Sequence, residues 1–128
     1  MDMMLTTRFA NAGAVLTLGL GLVGLFAPGV LARQLSLTPV GRLGVSEIRA
    51  TFGGLLAGLA TTVLIAQDRS LFALVGAGWV GAAVGRMLSY VRDGSHEAKN
   101  VAAIGMELLL GYLLLAPVVA IWWRELFA

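Results

Sequence analysis

The apolar positions of the chain fall into four long runs separated by short polar connections. The first is Phe9 to Phe26, 18 residues closed by Pro28-Gly29. The second is Ser46 to Ala66, ended by Gln67-Asp68-Arg69. The third and fourth have shorter uncharged stretches, Leu71 to Gly85 and Leu108 to Trp123. A membrane-spanning helix needs about 20 residues, mostly apolar. The third run reaches that length only by continuing through Arg86 to Tyr90 or Val91, and the fourth only by extending back through Glu107 to Val101. The predicted spans are therefore 9–27, 46–66, 70–91 and 101–123, forming a single transmembrane domain over 1–128. The expected class is all-α, an integral membrane four-helix bundle.

The connections refine this picture. Asp93-Gly94 makes the turn between the third and fourth spans, and Ser95 can cap the fourth helix, with Glu97 in its first turn. Between the first two spans, Val30, Leu31, Leu35 and Leu37 alternate with Arg33, Gln34 and Ser36. That segment is either a short helix in the membrane interface, ended by Thr38-Pro39, or an irregular loop. Trp122, Trp123 and Phe127 look like an interfacial aromatic belt. The first run is longer than the apolar core of a usual signal peptide and reads as a retained span.

Composition narrows the function. Hydrophobic residues make up 59% of the chain and charged ones 12%, about half the usual charged share of a soluble domain. A soluble domain of this size would expose too much apolar surface. The net charge of +2, with no basic run, does not fit a nucleic-acid partner. With no cysteine, disulfides, thiolate metal sites and iron–sulfur clusters are excluded. His96 is the one histidine, so one chain cannot build a bis-histidine haem site or di-iron histidine boxes. It sits beside Glu97 in a polar loop and reads as hydrated. No metal or cofactor is expected.

Two stretches match the G-x-G-x-x-G pattern, Gly19 to Gly24 and Gly76 to Gly81. The dinucleotide fingerprint needs a strand delivering a tight turn onto a helix N-terminus. Both copies lie within apolar helices and carry no such meaning. The 17 glycines read better as packing devices. Ser46, Ala50, Gly54, Gly58 and Thr62 recur every four residues, as do Ala77, Gly81, Gly85 and Ser89, and also Gly13, Thr17 and Gly21. Small residues at that spacing let two helix backbones approach closely.

Four charged residues are out of place in apolar helices: Glu47, Arg49, Arg86 and Glu107. A charge deep in a bilayer costs at least about 2.5–3.5 kcal/mol, so such residues normally turn inward and pair. Arg86 lies about 7.5 Å along the axis from Val91, and Glu107 about 9 Å from Val101, at 1.5 Å per residue. Arg49 lies about one turn inside Ser46, and Glu47 nearer the surface. On this reading all four occupy one leaflet and their charges cancel. Ala103 and Gly111 flank Glu107 on its stripe, and Ala82 with Ser89 or Tyr90 flanks Arg86, so both charges should point at neighbouring helices. Gly53 and Gly54 would leave room beside Arg49. Arg86 and Glu107 are expected to pair. The layer is either a set of register-fixing salt bridges or a polar pocket for a ligand head group, proton or ion.

The segment Gly44-Val45-Ser46-Glu47-Ile48-Arg49-Ala50-Thr51-Phe52-Gly53-Gly54 resembles the signature of an uncharacterised bacterial family of small four-span membrane proteins, known only as a domain of unknown function. Gly85-Arg86, Asp93-Gly94 and Glu107 fall where that pattern would place them. More distantly, the chain resembles the DoxX-like group, without a residue match to its quinone-linked chemistry. The resemblance implies a four-span fold in a bacterial inner membrane and implies no reaction.

Three functions fit these residues. The first is a binding or accessory membrane protein with a Glu/Arg layer near one leaflet. The second is a small oligomeric carrier or permease for a solute or proton. The third is an enzyme acting on a lipophilic substrate with Glu107 as acid/base, which lacks a nucleophile or cofactor motif to support it. The expected partners are membrane lipid, a lipophilic small molecule, and a second copy or another membrane protein.

Topology is directly testable. The connections after the first and third spans carry Arg33, Arg42, Arg92 and Lys99, against Arg8, Arg69 and Arg124 on the other side. This bias places those connections in the cytoplasm and both termini outside. Because the chain lacks cysteine, single cysteines at Ser36, Ser70 and Ser95 can be labelled from one side. Ser36 and Ser95 should label together and Ser70 from the opposite face.

Overall fold

The computed structural model describes residues 2–127, which are helical apart from short connections and contain no strand. Helix α1 is Met3–Phe26 and α2 is Pro28–Leu35. Helix α3, Gly41–Glu47, runs without a break through a π-helical segment, Ile48–Gly54, into α4, Leu55–Ala66. Helix α5 is Arg69–Arg92 and α6 is Ala98–Phe127. Four helices are long and apolar enough to cross a membrane: α1, the continuous helix Gly41–Ala66, α5 and α6. In hydrocarbon every backbone N–H and C=O must be satisfied within the segment, which favours unbroken helices of this length.

The chain divides into two compact units, and α1 contributes to both. One unit is Ala14–Ala66. Within it the backbone of α1 lies almost against that of the second long helix. A Cβ added at Gly21 would fall 2.5 Å from the Ala57 nitrogen, and one at Gly24 2.6 Å from the Phe52 oxygen. A Cβ at Gly53 would fall 2.7 Å from the Leu25 nitrogen. The connection that could have been a loop is helical. Helix α2 buries Pro28, Leu31 and Ala32, and Leu31 and Ala32 pack with Ile48 of the π segment, flanked by Leu35 and Phe52. It stops at Ser36, ahead of Thr38-Pro39. Ser36 is left-handed at φ 57°, and the Leu37 N–H returns to the Ala32 carbonyl at 2.8 Å.

The other unit joins the start of α1, to Gly13, with the chain from Gln67 onward. Its centre is the α5–α6 hairpin. A Cβ at Gly111 would meet Val80 Cγ2 at 2.7 Å, and one at Gly76 would meet the Leu114 and Leu115 side chains at 3.0 Å. Gly13 gives α1 the same closeness to Leu113 and Leu114. Asn11 and Gln67 exchange amide hydrogen bonds of 3.2 and 2.7 Å. Asp68 caps α5, accepting from the Ser70 and Leu71 N–H groups. Pro117 is fully buried within α6.

The turn between α5 and α6 differs from the expected cap. Ser95 donates its hydroxyl to the Glu97 carboxylate at 2.8 Å instead of capping α6, which starts at Ala98. Gly94 takes φ 70°, a conformation that suits glycine. His96 is exposed, donates Nε2–H to the Tyr90 carbonyl at 2.9 Å and rests against the Tyr90 ring. Glu97 is held below the ordinary carboxylate range by its own backbone N–H first, then by the Ser95 hydroxyl, with a smaller contribution from His96.

One of the three small-residue stripes is a packing face. Gly13, Thr17 and Gly21 are buried, with Ala10, Ala14 and Gly24 beside them. The stripe Ser46-Ala50-Gly54-Gly58-Thr62 is exposed, and its helix packs instead through Gly53, Ala57, Ala60 and Val63. Ala77, Gly81 and Gly85 are likewise exposed, while α5 buries Phe72, Val75, Gly76 and Ala83. Lipid is as apolar as a protein interior, so a helix rich in small residues on all sides does not announce which side packs. Gly21→Ala and Gly53→Ala should each cost about 1–3 kcal/mol by forcing two backbones apart. Gly58→Ala and Gly81→Ala, which meet open space, should keep or slightly raise stability. Thermal melts of the four variants in one detergent separate the two faces.

Candidate functional site

Arg86 sits on α5 one to two turns before the helix ends, and Glu107 on α6 between two and three turns after it begins. The hairpin folds the two helices antiparallel and brings these depths together. Arg86 Nε donates to Glu107 Oε1 at 2.7 Å. The partners differ in burial: the Arg86 side chain is 32% exposed and that of Glu107 only 5%. Glu107 Oε2 is buried and has no hydrogen-bond partner among the described residues.

A third residue joins this pair. Arg86 Nη1 donates to Asn100 Oδ1 at 3.4 Å, and Asn100 Nδ2 donates to the Ser95 carbonyl at 2.9 Å. Asn100 thus ties the charge pair to the interhelical turn. Asn100 stands outside the four charged residues singled out by sequence, although it lies two turns before Glu107, on the same helix face. The Glu107 stripe reaches one turn deeper to Gly111, the position of closest approach to Val80 on α5.

Glu47 and Arg49 belong to the other unit and are placed differently. Both side chains are exposed rather than turned inward, and neither forms an ion pair among the described residues. Gly53 does not make room for Arg49, because its open side is filled by the Leu25 backbone. Gly54 has only the Arg49 carbonyl and Leu25 nearby, at 3.7 and 3.9 Å. Arg49 instead lines an open cavity of about 400 Å³ with Arg42, Val45 and Ser46. By sequence alone Arg42 is only a charge in the connection between the first two spans. No group of three or more metal-ligating side chains occurs among the described residues.

Four apolar membrane-length helices with an ion pair set inside them define a small multi-pass membrane protein. The chain belongs to the family described as a domain of unknown function, DUF4345, whose model matches residues 7–118. No curated protein and no solved structure matches it.

The unequal burial of the pair predicts unequal costs of breaking it. Arg86→Ala strands a buried carboxylate and should cost about 3–5 kcal/mol. Glu107→Ala leaves a guanidinium that can still reach polar surroundings and should cost clearly less. The double variant should be less harmful than the sum of the singles. A double-mutant cycle on detergent stability reads all three effects, and strict additivity would show that the pair does not couple.

Proposed function

We propose that this is a binding protein of the membrane, not a catalyst, and that it receives the polar head of a lipophilic small molecule at the Arg86–Glu107–Asn100 cluster. The observation that carries this reading is the unpartnered, buried Oε2 of Glu107 beside a partly exposed Arg86. A buried carboxylate oxygen without a donor is costly, and an arginine keeps unused N–H groups after one ion pair and one amide contact. A ligand carrying both a hydroxyl or amide donor and a carbonyl-type acceptor would complete both. Apolar helix surface around the cluster suits its tail.

The carrier reading rests on the same oxygen. A carboxylate held by one arm is a candidate to exchange a proton or solute with whatever reaches it. The enzyme reading has no further residue to draw on. Association with a second copy or another membrane protein is supported by the outward-facing small residues at Gly58 and Gly81. Placement in a bacterial inner membrane rests on the resemblance carried by the Gly44–Gly54 segment, Gly85-Arg86, Asp93-Gly94 and Glu107, and distant kinship with the DoxX-like group on overall likeness alone.

The test is a thermal-shift screen of the purified chain against hydroxyl- and amide-headed amphiphiles. A ligand that stabilises the wild type should lose that effect in Glu107→Gln and Arg86→Gln. If no amphiphile acts and proteoliposomes show a flux abolished by Glu107→Gln, the carrier reading replaces this one.

A further inference from the structure

We propose that the Arg42–Ser46–Arg49 face of the helix Gly41–Ala66 binds the phosphate of an anionic phospholipid. The site lies in the other compact unit from the Arg86–Glu107 pair, and the proposal does not depend on the function proposed for that pair.

Residues 42, 46 and 49 follow the i, i+4, i+7 spacing that stacks side chains along one helix face. They line a single cavity of about 400 Å³ whose fourth wall is Val45. Two guanidinium groups and a hydroxyl offer only donors and one small acceptor, a set that matches phosphate oxygens. Both arginines and Ser46 are exposed. No carboxylate pairs with either arginine among the described residues, and Glu47, two residues before Arg49, lies on another side of the helix.

Depth selects the ligand. The helix has 26 residues, which is about 39 Å of rise. The hydrocarbon core is about 30 Å thick, the length of roughly 20 helical residues. Gln67, Asp68 and Arg69 mark the polar boundary at the far end. Counting back from Ala66, the core ends near Glu47. Arg42 and Ser46 then fall in the head-group layer, and Arg49 just inside the hydrocarbon, within reach of that layer by its own side-chain length. An arginine at this depth with no protein counter-ion is best satisfied by a lipid phosphate. The surface is also held in place. Ile48 is buried against Leu31 and Ala32 of α2, so Arg49 projects from an anchored turn and not from a fraying end. Two unneutralised cations favour an anionic head group over a zwitterionic one, whose ammonium would add a third positive charge.

The experiment uses the full chain, stripped of lipid in neutral detergent. It measures binding of phosphatidylglycerol, phosphatidylcholine and inorganic phosphate by native mass spectrometry and titration. Phosphatidylglycerol should bind, and more tightly than phosphatidylcholine. Arg42→Gln and Arg49→Gln should each weaken it about fivefold, and the double variant about 30-fold. Arg69→Gln, on another helix, should leave it unchanged. Wild-type binding should also weaken as salt is raised, a reading that needs no variant to fold. Undiminished binding by a folded double variant would overturn the proposal, as would equal affinity for phosphatidylcholine or indifference to salt. Complete displacement of phosphatidylglycerol by inorganic phosphate at equal concentration would assign the site to a free anion and likewise overturn the lipid assignment.

Discussion

Helices in lipid gain nothing by burying an apolar side chain that lipid would have covered equally well. They gain by approaching each other more closely than a lipid tail can follow, and that requires missing side chains. Gly21, Gly24 and Gly53 remove them between α1 and the second long helix, and Gly76 and Gly111 remove them between α5 and α6. The π-helical segment carries part of the first of these contacts. Phe52, within the segment, turns its carbonyl toward Gly24, and Gly53 meets the Leu25 backbone. On its other side Ile48 receives Leu31 and Ala32 of α2. A wider turn here serves two contacts at once. Such segments recur at functional positions, and this one begins next to Arg49.

The second long-range constraint is electrostatic and belongs to the α5–α6 hairpin. Gly76 and Gly111 let the two helices run close together, and the hairpin register brings Arg86 and Glu107 into contact. The interaction is costly to break because Glu107 is buried, and incomplete because only one carboxylate oxygen is used. Asn100 links the guanidinium, through a long contact, to the Ser95 carbonyl. The turn therefore bears on the site through hydrogen bonds as well as chain length. A change at Asn100 or Ser95 reaches the charge pair without touching either charge.

Much of this was legible in the sequence. The four helices follow from apolar run lengths, because bilayer thickness imposes a minimum that soluble helices do not face. The Arg86–Glu107 pair follows from the need to spend one charge in each short span. Other features were hidden for physical reasons. Burial could not be inferred from hydrophobicity, so the stripe at Gly54 and Gly58 was indistinguishable from the packing face at Gly53 and Ala57, one residue away. The π segment has no compositional mark. Asn100 looked like an ordinary polar residue at a helix start, and only its two-turn spacing from Glu107 reveals its part. The exposure of Glu47 and Arg49 runs against the rule that intramembrane charges turn inward. That rule weakens near the head groups, where a long side chain can leave the hydrocarbon by reaching along the helix.

The two polar places are built on opposite charge logic. The pair on α5 and α6 is neutral in sum, and its unused capacity is one buried acceptor with a few donors beside it. A charged ligand would leave an excess charge at that depth, so a neutral polar head fits it best. The face at Arg42, Ser46 and Arg49 has two cations and no compensating carboxylate, so a neutral head would leave its charge unanswered. One chain thus separates its neutral and cationic polar surfaces into different compact units. The difference follows from burial: a buried carboxylate must find its counter-charge within the protein, whereas exposed arginines leave theirs to whatever lies outside it.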